Sequence, residues 1–345
     1  MDAGKTWTRM GLEQTGRIGR VVVHPTNPEV VLACALGHAY GPQPERGVFR
    51  TTDGGASWEH VLFVDEHTGC SALAMDPANP RKLFAGMWQI DIKTWGRESG
   101  GPGSGLFVSQ DGGTTWQRQQ GRGLPTGEVG KVKVAITRSN PNRVYALIET
   151  GDGAPWHGQE TDRGQVWRSE DGGETWEVVS YDRHAMGRPH YYSHLFVAPD
   201  NEHEVYFLTS AYSVSLDGGE NLTTVSRSDA PGGDHHDMWI DSRDSRHMIL
   251  GNDGGLYATW DMGANWTFIS NIPIQQFYDV DLDMSDPYFI YGGLQDNNSY
   301  RGPSRTRRYQ GILNRDWQVT EIFMLSGSPY LLQFRKLFLL IQRDQ

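Results

Sequence analysis

The sequence predicts an all-β fold, a β-propeller of six four-stranded blades, and three observations predict it. The first is composition: 345 residues hold 42 Gly and 17 Pro beside 12 Trp, 14 Tyr and 12 Phe. Glycine costs about 1 kcal/mol at each interior helical position, so this chain is a poor helix former, whereas short strands joined by glycine turns accommodate it. The aromatic side chains supply buried area that offsets chain entropy, which excludes a disordered chain. The second is a sixfold motif of an aspartate, glycines and a tryptophan, with a spacing close to the length of one propeller blade. The third is a strand–turn–strand pattern between the copies.

The motif occurs as Asp2–Trp7, Thr52–Trp58, Ser109–Trp116, Ser169–Trp176, Ser215–Leu222 and Thr259–Trp266, with its aspartates 51, 58, 60, 46 and 44 residues apart. An Asp carboxylate accepts hydrogen bonds from the amides of a tight turn, glycine supplies the positive φ, and Trp packs between sheets. Asp53, Asp111, Asp171, Asp217 and Asp261 are therefore read as staples of hairpin turns, not as catalytic groups. Between the motifs, a strand, a turn usually holding Asp-Pro or Asn-Pro, and a second strand recur. Examples are Arg20–Pro25 with Val30–Cys34, Ala72–Pro77 with Lys82–Gly86, Leu195–Pro199 with Val205–Leu208, and Met238–Asp241 with Met248–Gly251. Inner strands are expected near residues 17, 70, 130, 192, 236 and 278. The domain is expected to span 1–317, with the N-terminal strand 1–10 joining the last blade. A seven-bladed or incomplete ring is the alternative. Residues 318–345, with the apolar run Leu337–Ile341, read as closing strands or an atypical tail.

Charge and hydropathy exclude some partners. The formal net charge is −11, which disfavours phosphate backbones and so nucleic acid. No stretch of about 18 apolar residues is present, and mean hydropathy is −0.56, so no helical membrane span is expected. The two cysteines, Cys34 and Cys70, are too few for a disulfide scaffold or a thiolate zinc site, and are expected to be small buried residues. No signal peptide is visible at the N-terminus, and the compartment stays unassigned.

The motif S/T-x-D-x-G-x-T/S-W resembles the Asp-box (BNR) repeat of sialidases, sortilin-type (Vps10) receptors and the xyloglucan-specific endoglucanases of glycoside hydrolase family 74. Thr15–Arg20, Leu36–Pro42, Gly100–Gly105, Asp234–His236, Gly251–Gly255 and Gly292–Asn297 add a likeness to large bacterial BNR proteins labelled glycosyl hydrolase or sortilin-like. The resemblance implies a propeller binding a glycan, a small molecule or a peptide, and suggests an exported protein. It does not transfer a catalytic set. The family 74 enzymes resemble two propellers with one catalytic Asp from each, and no third arginine or Tyr/Glu pair completes a sialidase site around Arg17 and Arg188.

A propeller binds ligands where loops converge on its channel. Alignment on the Pro turns places Arg17, Tyr191 and Asp234 in one column and Tyr192 and His235 in the next. The loops that leave the second strands bring His38, Gln89, Glu149, Asp253 and Asp296 to the same end. Asp234, His235 and His236 suggest a mixed N/O site for Zn, Mn or Ca, able to make hydroxide for an ester or phosphoester hydrolase. Adjacent strand residues face opposite sides, so both histidines enter the channel only if the strand is irregular. Glu149, Asp253 and Asp296 are candidates for a glycosidic acid and base. Trp88, Trp95, Trp156, Tyr191 and Tyr192 are candidate sugar platforms, each as readily explained by packing between blades. Trp95–Gly105 reads as a flexible rim, and the sequons at Asn221, Asn265 and Asn297 as chance. The expected function is a hydrolase of the BNR glycosyl-hydrolase-like type. The alternatives are a non-catalytic sortilin-like binder and a metal-dependent hydrolase.

Overall fold

The computed structural model describes residues 4–151, 164–225, 231–272, 276–294 and 298–321. These form six antiparallel sheets, each built from consecutive strands, as predicted. The chain divides into two compact units, Met1–Ile269 and Ser270–Gln345. The first unit holds blades 1 to 5, whose inner strands are Arg17–Val23, Thr68–Met75, Val132–Ile136, His194–Val197 and His235–Ile240. The second holds the last sheet, made of Phe277–Leu282, Phe289–Leu294, Ser299–Pro303 and Gln318–Glu321.

Apolar layers join neighbouring blades of the first unit. Leu32 and Val48 of blade 1 cluster with Leu73, Leu83 and Phe107 of blade 2. Phe84 and Leu106 meet Val132, Val144 and Trp167 of blade 3. Tyr145 and Val166 meet Leu195 and Phe207 of blade 4, and Tyr206 and Leu208 meet Met238 and Leu250 of blade 5. Each fully buried side chain of this size contributes roughly 1.5–3 kcal/mol relative to exposure.

The Asp-boxes are near-identical devices. In blade 2, Ser109 Oγ donates to Asp111 Oδ1 (2.8 Å), and the same oxygen accepts the Thr114 and Thr115 amides at 3.0 and 2.9 Å. Amide and hydroxyl donation from Thr115 holds the Asp111 carboxyl down at about 2, and Ser57 does the same for Asp53. The residue after each aspartate donates its amide to the turn that leaves the inner strand of the same blade. These bonds run from Gly54 to Glu29, Gly112 to Arg81, Gly172 to Asn142, Gly218 to His203 and Met262 to Arg246. The boxes therefore lock the trailing end of the blades, opposite the end where the chain enters each inner strand. Asp2 itself is outside the described residues; in the rest of its motif Trp7 Nε1 donates to the Gly4 carbonyl at 3.0 Å.

Three expectations change, and one feature is added. Described residues 4–16 form no strand, and the fourth strand of the last sheet is Gln318–Glu321; residues 322–345 are outside the described residues. Cys34 and Cys70 are buried but bonded, Sγ to Sγ, tying blade 1 to blade 2. Two cysteines far apart in sequence are brought together because neighbouring blades stack, which spacing alone does not reveal. The rim at 95–105 is partly ordered. The second strand of blade 2 is extended to Leu83–Lys93 and folds back as Gly96–Ser99, a fifth strand. Finally, inner strands of blades 1, 2, 5 and the last sheet carry register shifts near Ile18, Ser71, His236 and Tyr278. Such bulges re-aim side chains and are common beside binding sites.

Candidate functional site

Tyr191, Tyr192, His236 and Asp253 meet at the leading end of blades 4 and 5. The Tyr191 hydroxyl lies 3.0 Å from Asp253 Oδ2, and His236 Nε2 lies 2.6 Å from Oδ1. The Tyr191 ring stands edge-on to His236 at 4.9 Å and to Tyr192 at 5.2 Å. The local backbone explains the convergence. The ladder passes from the pair His235–Asn252 to Asp237–Gly251, leaving His236 as the extra residue of a bulge. Ser193 and Asp234, just before the inner strands of blades 4 and 5, hold φ of 77° and 55°. Such left-handed conformations cost of order 1–3 kcal/mol in residues other than glycine, and they gather at functional sites.

The bulge separates the two histidines. His236 joins the Tyr191–Asp253 group, while His235 is fully buried against the Tyr212 ring, with neither ring nitrogen hydrogen-bonded among the described residues. Burial, with the neighbouring His236, pushes His235 down to about 4. Asp234 contributes backbone, its carbonyl accepting the Asp253 amide at 3.2 Å. The metal site expected from Asp234, His235 and His236 is therefore not formed. Among the described residues, no three His, Cys, Asp or Glu side chains are grouped so as to hold a metal ion.

Other predicted residues join a second network across blades 2 to 4. Trp88 Nε1 donates to Ser99 Oγ (2.9 Å), and Glu149 Oε2 accepts the Ser99 hydroxyl at 2.5 Å and the Lys131 amide at 2.8 Å. Lys131 Nζ donates to the carbonyls of Pro189 and Tyr192 and lies over the Trp88 ring. Trp88 and Tyr192 are almost fully buried, so they pack rather than present faces, while Tyr191 is 40% exposed and Trp95 84%. Gln89 is a brace, accepting the Gly103 amide at 2.9 Å. Arg17 donates to the carbonyls of Gly37 and His38 at 3.0 and 2.9 Å. Arg46, which sequence reasoning missed, is buried and reaches the carbonyls of His67, Ile90, His38 and Gly41. Nothing in its local pattern distinguishes it from a surface arginine. Asp296, Trp156 and Asn297 lie outside the described residues.

Fold and turns define the class: the chain is a BNR/Asp-box-repeat β-propeller. The BNR/Asp-box repeat pattern matches residues 107–118, the box of blade 2. Within that class the chain resembles GH74 proteins. A xyloglucanase from Paenibacillus sp is 25% identical over 295 residues, 72% of this chain and 25% of that protein. An ancestral GH74 enzyme matches with a TM-score of 0.53 at 19% identity, over 92% of this chain and 42% of its own. YCF48 from Cyanidioschyzon merolae gives a TM-score of 0.49 at 15% identity, over 92% of this chain and 93% of its own. The chain spans about a quarter of the length of the xyloglucanase. In the described residues, no helix is long and apolar enough to cross a membrane.

Proposed function

We propose that this propeller is a glycan-recognising module of the hydrolase-like BNR type, with its ligand at the leading end of blades 4 and 5. One observation carries the reading: the Asp253 carboxylate lies between the Tyr191 hydroxyl and His236 Nε2, beside a partly exposed tyrosine ring. An exposed aromatic face suits a sugar ring, and an imidazole held by a carboxylate is a ready proton carrier. Asp253 is the acid or base of the reading, His236 orients it, and Tyr191 is the platform. The Cys34–Cys70 bridge supports an oxidising, exported setting.

A second reading, binding without cleavage, is favoured by Glu149. Its Oε2 is committed to Ser99 and the Lys131 amide, which leaves Asp253 without an obvious carboxylate partner among the described residues. The experiment is calorimetric titration with xyloglucan and cellulose oligosaccharides, run beside a reducing-end assay. Tyr191→Ala is expected to weaken binding at least tenfold. Turnover abolished by Asp253→Asn with binding retained supports the hydrolase. Binding without turnover in the wild type supports the second reading. Absence of binding to any saccharide ends both.

A further inference from the structure

The inner strands of blades 1 to 5 line a cavity of about 500 Å³, a volume typical of ligand sites. Arg20 and Val21 are exposed on its blade 1 wall, so it is open to solvent. Lys133, from the inner strand of blade 3, is the one lysine among the lining residues. A defect in the neighbouring strand fixes its nitrogen. The ladder of blade 2 passes from Cys70–Met87 to Ala72–Gly86, which leaves Ser71 as the extra residue of a bulge. The Ser71 hydroxyl donates to the carbonyls of Gly86 (3.1 Å) and Val132 (2.8 Å) and holds the bulge in place. Its own carbonyl accepts a hydrogen bond from Lys133 Nζ.

The charged and titratable groups that share the cavity with Lys133 are Arg20 on blade 1, Asp76 on blade 2, His194 on blade 4 and Asp237 on blade 5. Asp76 is tied into its turn, accepting the Ala78 and Asn79 amides at 2.8 and 3.1 Å, and Asp237 accepts the Met238 amide at 2.9 Å. Two carboxylates match Arg20 and Lys133 in number, so the cavity calls for no anion. Among the described residues Lys133 makes no ion pair, and its hydrogen bond goes to a neutral carbonyl. Lys131, two residues earlier, is committed to the carbonyls of Pro189 and Tyr192. Desolvation outweighs the pull of Asp237 and, with Arg20, brings Lys133 down to about 8. Desolvation, with Lys133 and Lys131 nearby, holds His194 well below its ordinary range, so the imidazole is neutral. The distinctive group of this cavity is therefore an amine that gives up its proton readily, and a perturbed group in a cleft marks a functional site.

We propose that Lys133 is a nucleophilic amine that captures a small apolar aldehyde in this cavity as an imine. The nitrogen lone pair adds to the carbonyl carbon, a C–N bond forms, and one proton moves from nitrogen to the carbonyl oxygen. The C–O bond then breaks, and the departing hydroxide takes the second nitrogen proton away as water. The step needs no oxidant or reductant. An amine that is desolvated is free to attack, as in lysine nucleophiles generally. Leu73, Val134, Ile136 and Phe196 line the same cavity and supply apolar surface that favours an aldehyde with an apolar body. The site goes beyond the glycan reading, because neither Tyr191 nor Asp253 lines the cavity.

The test is brief reaction of the full chain with benzaldehyde at pH 7, the imines being trapped by cyanoborohydride and located by peptide mass spectrometry. At that pH a lysine at about 8 holds roughly a hundredfold or more free amine than an unperturbed one. Lys133 is expected to be labelled at least tenfold faster than Lys5 or Lys82, which lie outside the cavity. Asp237→Asn removes the carboxylate that favours the charged amine, and is expected to raise the Lys133 rate at least twofold. The comparison within the wild-type chain needs no variant, so it decides the matter if Asp237→Asn fails to fold. Lys133 labelled no faster than Lys5, or a rate unchanged or lowered in folded Asp237→Asn, overturns the proposal.

Discussion

The two ends of the blades are built on opposite rules. At the trailing end the same device is repeated: Thr51–Asp53, Ser109–Asp111, Ser169–Asp171, Ser215–Asp217 and Thr259–Asp261 make the same short hydroxyl-to-carboxylate bond. At the leading end every blade differs. Blade 1 uses Arg17 and the buried Arg46, blades 1 and 2 share a disulfide, blade 3 offers Lys131 and Glu149, and blades 4 and 5 join Tyr191 to His236 and Asp253. Repetition secures the scaffold, because each blade must present the same face to its neighbour. Divergence at the other end is free to make chemistry.

The comparison is broken most severely at a box tryptophan. Trp176 is buried in the layer between blades 2 and 3 and donates Nε1–H to the Gly173 carbonyl at 3.2 Å. Trp176→Ala is expected to lower stability by about 3–5 kcal/mol in urea denaturation; a loss below about 1 kcal/mol would show the box to be mere surface decoration. Next is the bridge of the leading end. Cys34→Ala with Cys70→Ala removes a link spanning 36 residues and is expected to cost about 3 kcal/mol. If free-thiol titration of the unfolded wild-type chain finds two thiols, that link does not exist.

A third test separates the ends by pH. His235 titrates at about 4 in the folded protein against an ordinary 6.5, so the unfolded chain takes up its proton first. Stability should therefore be full above about 6.5 and fall by roughly 2 kcal/mol as pH drops towards 4. His235→Phe should flatten that limb. It should leave the steeper loss below pH 4 that comes from box aspartates held at about 2. An unchanged limb would place the proton uptake elsewhere. The smallest effect sharpens the trailing end. The position after the box aspartate is Gly54, Gly112, Gly172 and Gly218 in blades 1 to 4, at φ between 70° and 79°, but Met262 in blade 5 at φ 59°. Met262→Gly should raise the thermal midpoint by the equivalent of about 1 kcal/mol; a fall would show that the methionine side chain contributes more by packing than its backbone costs.

Legibility followed the same division. The boxes were readable because their bonds join residues two to four positions apart, so the turn is written in one short segment. Inner strands fell close to the expected starts, since Pro turns and alternation mark them locally. Tyr191 and Asp253 were identified as residues at one end, yet their contact depends on the His236 bulge, which no spacing announces. The histidine pair shows the limit clearly. As a dipeptide it suggested a metal, but one inserted residue sends His236 to a carboxylate and His235 into a pocket beside Tyr212.

The sequence by itself determined the repeat, the strand order and the turn chemistry, because these rest on propensity and contacts within about sixty residues. Only the tertiary structure decided that Cys34 meets Cys70, that Arg46 is buried against the carbonyls of His67, Ile90, His38 and Gly41, and that Arg20, Lys133 and His194 face one cavity with Asp76 and Asp237. Those meetings are set by how neighbouring blades stack their apolar layers, and the residues that touch belong to different repeats with no local signal in common.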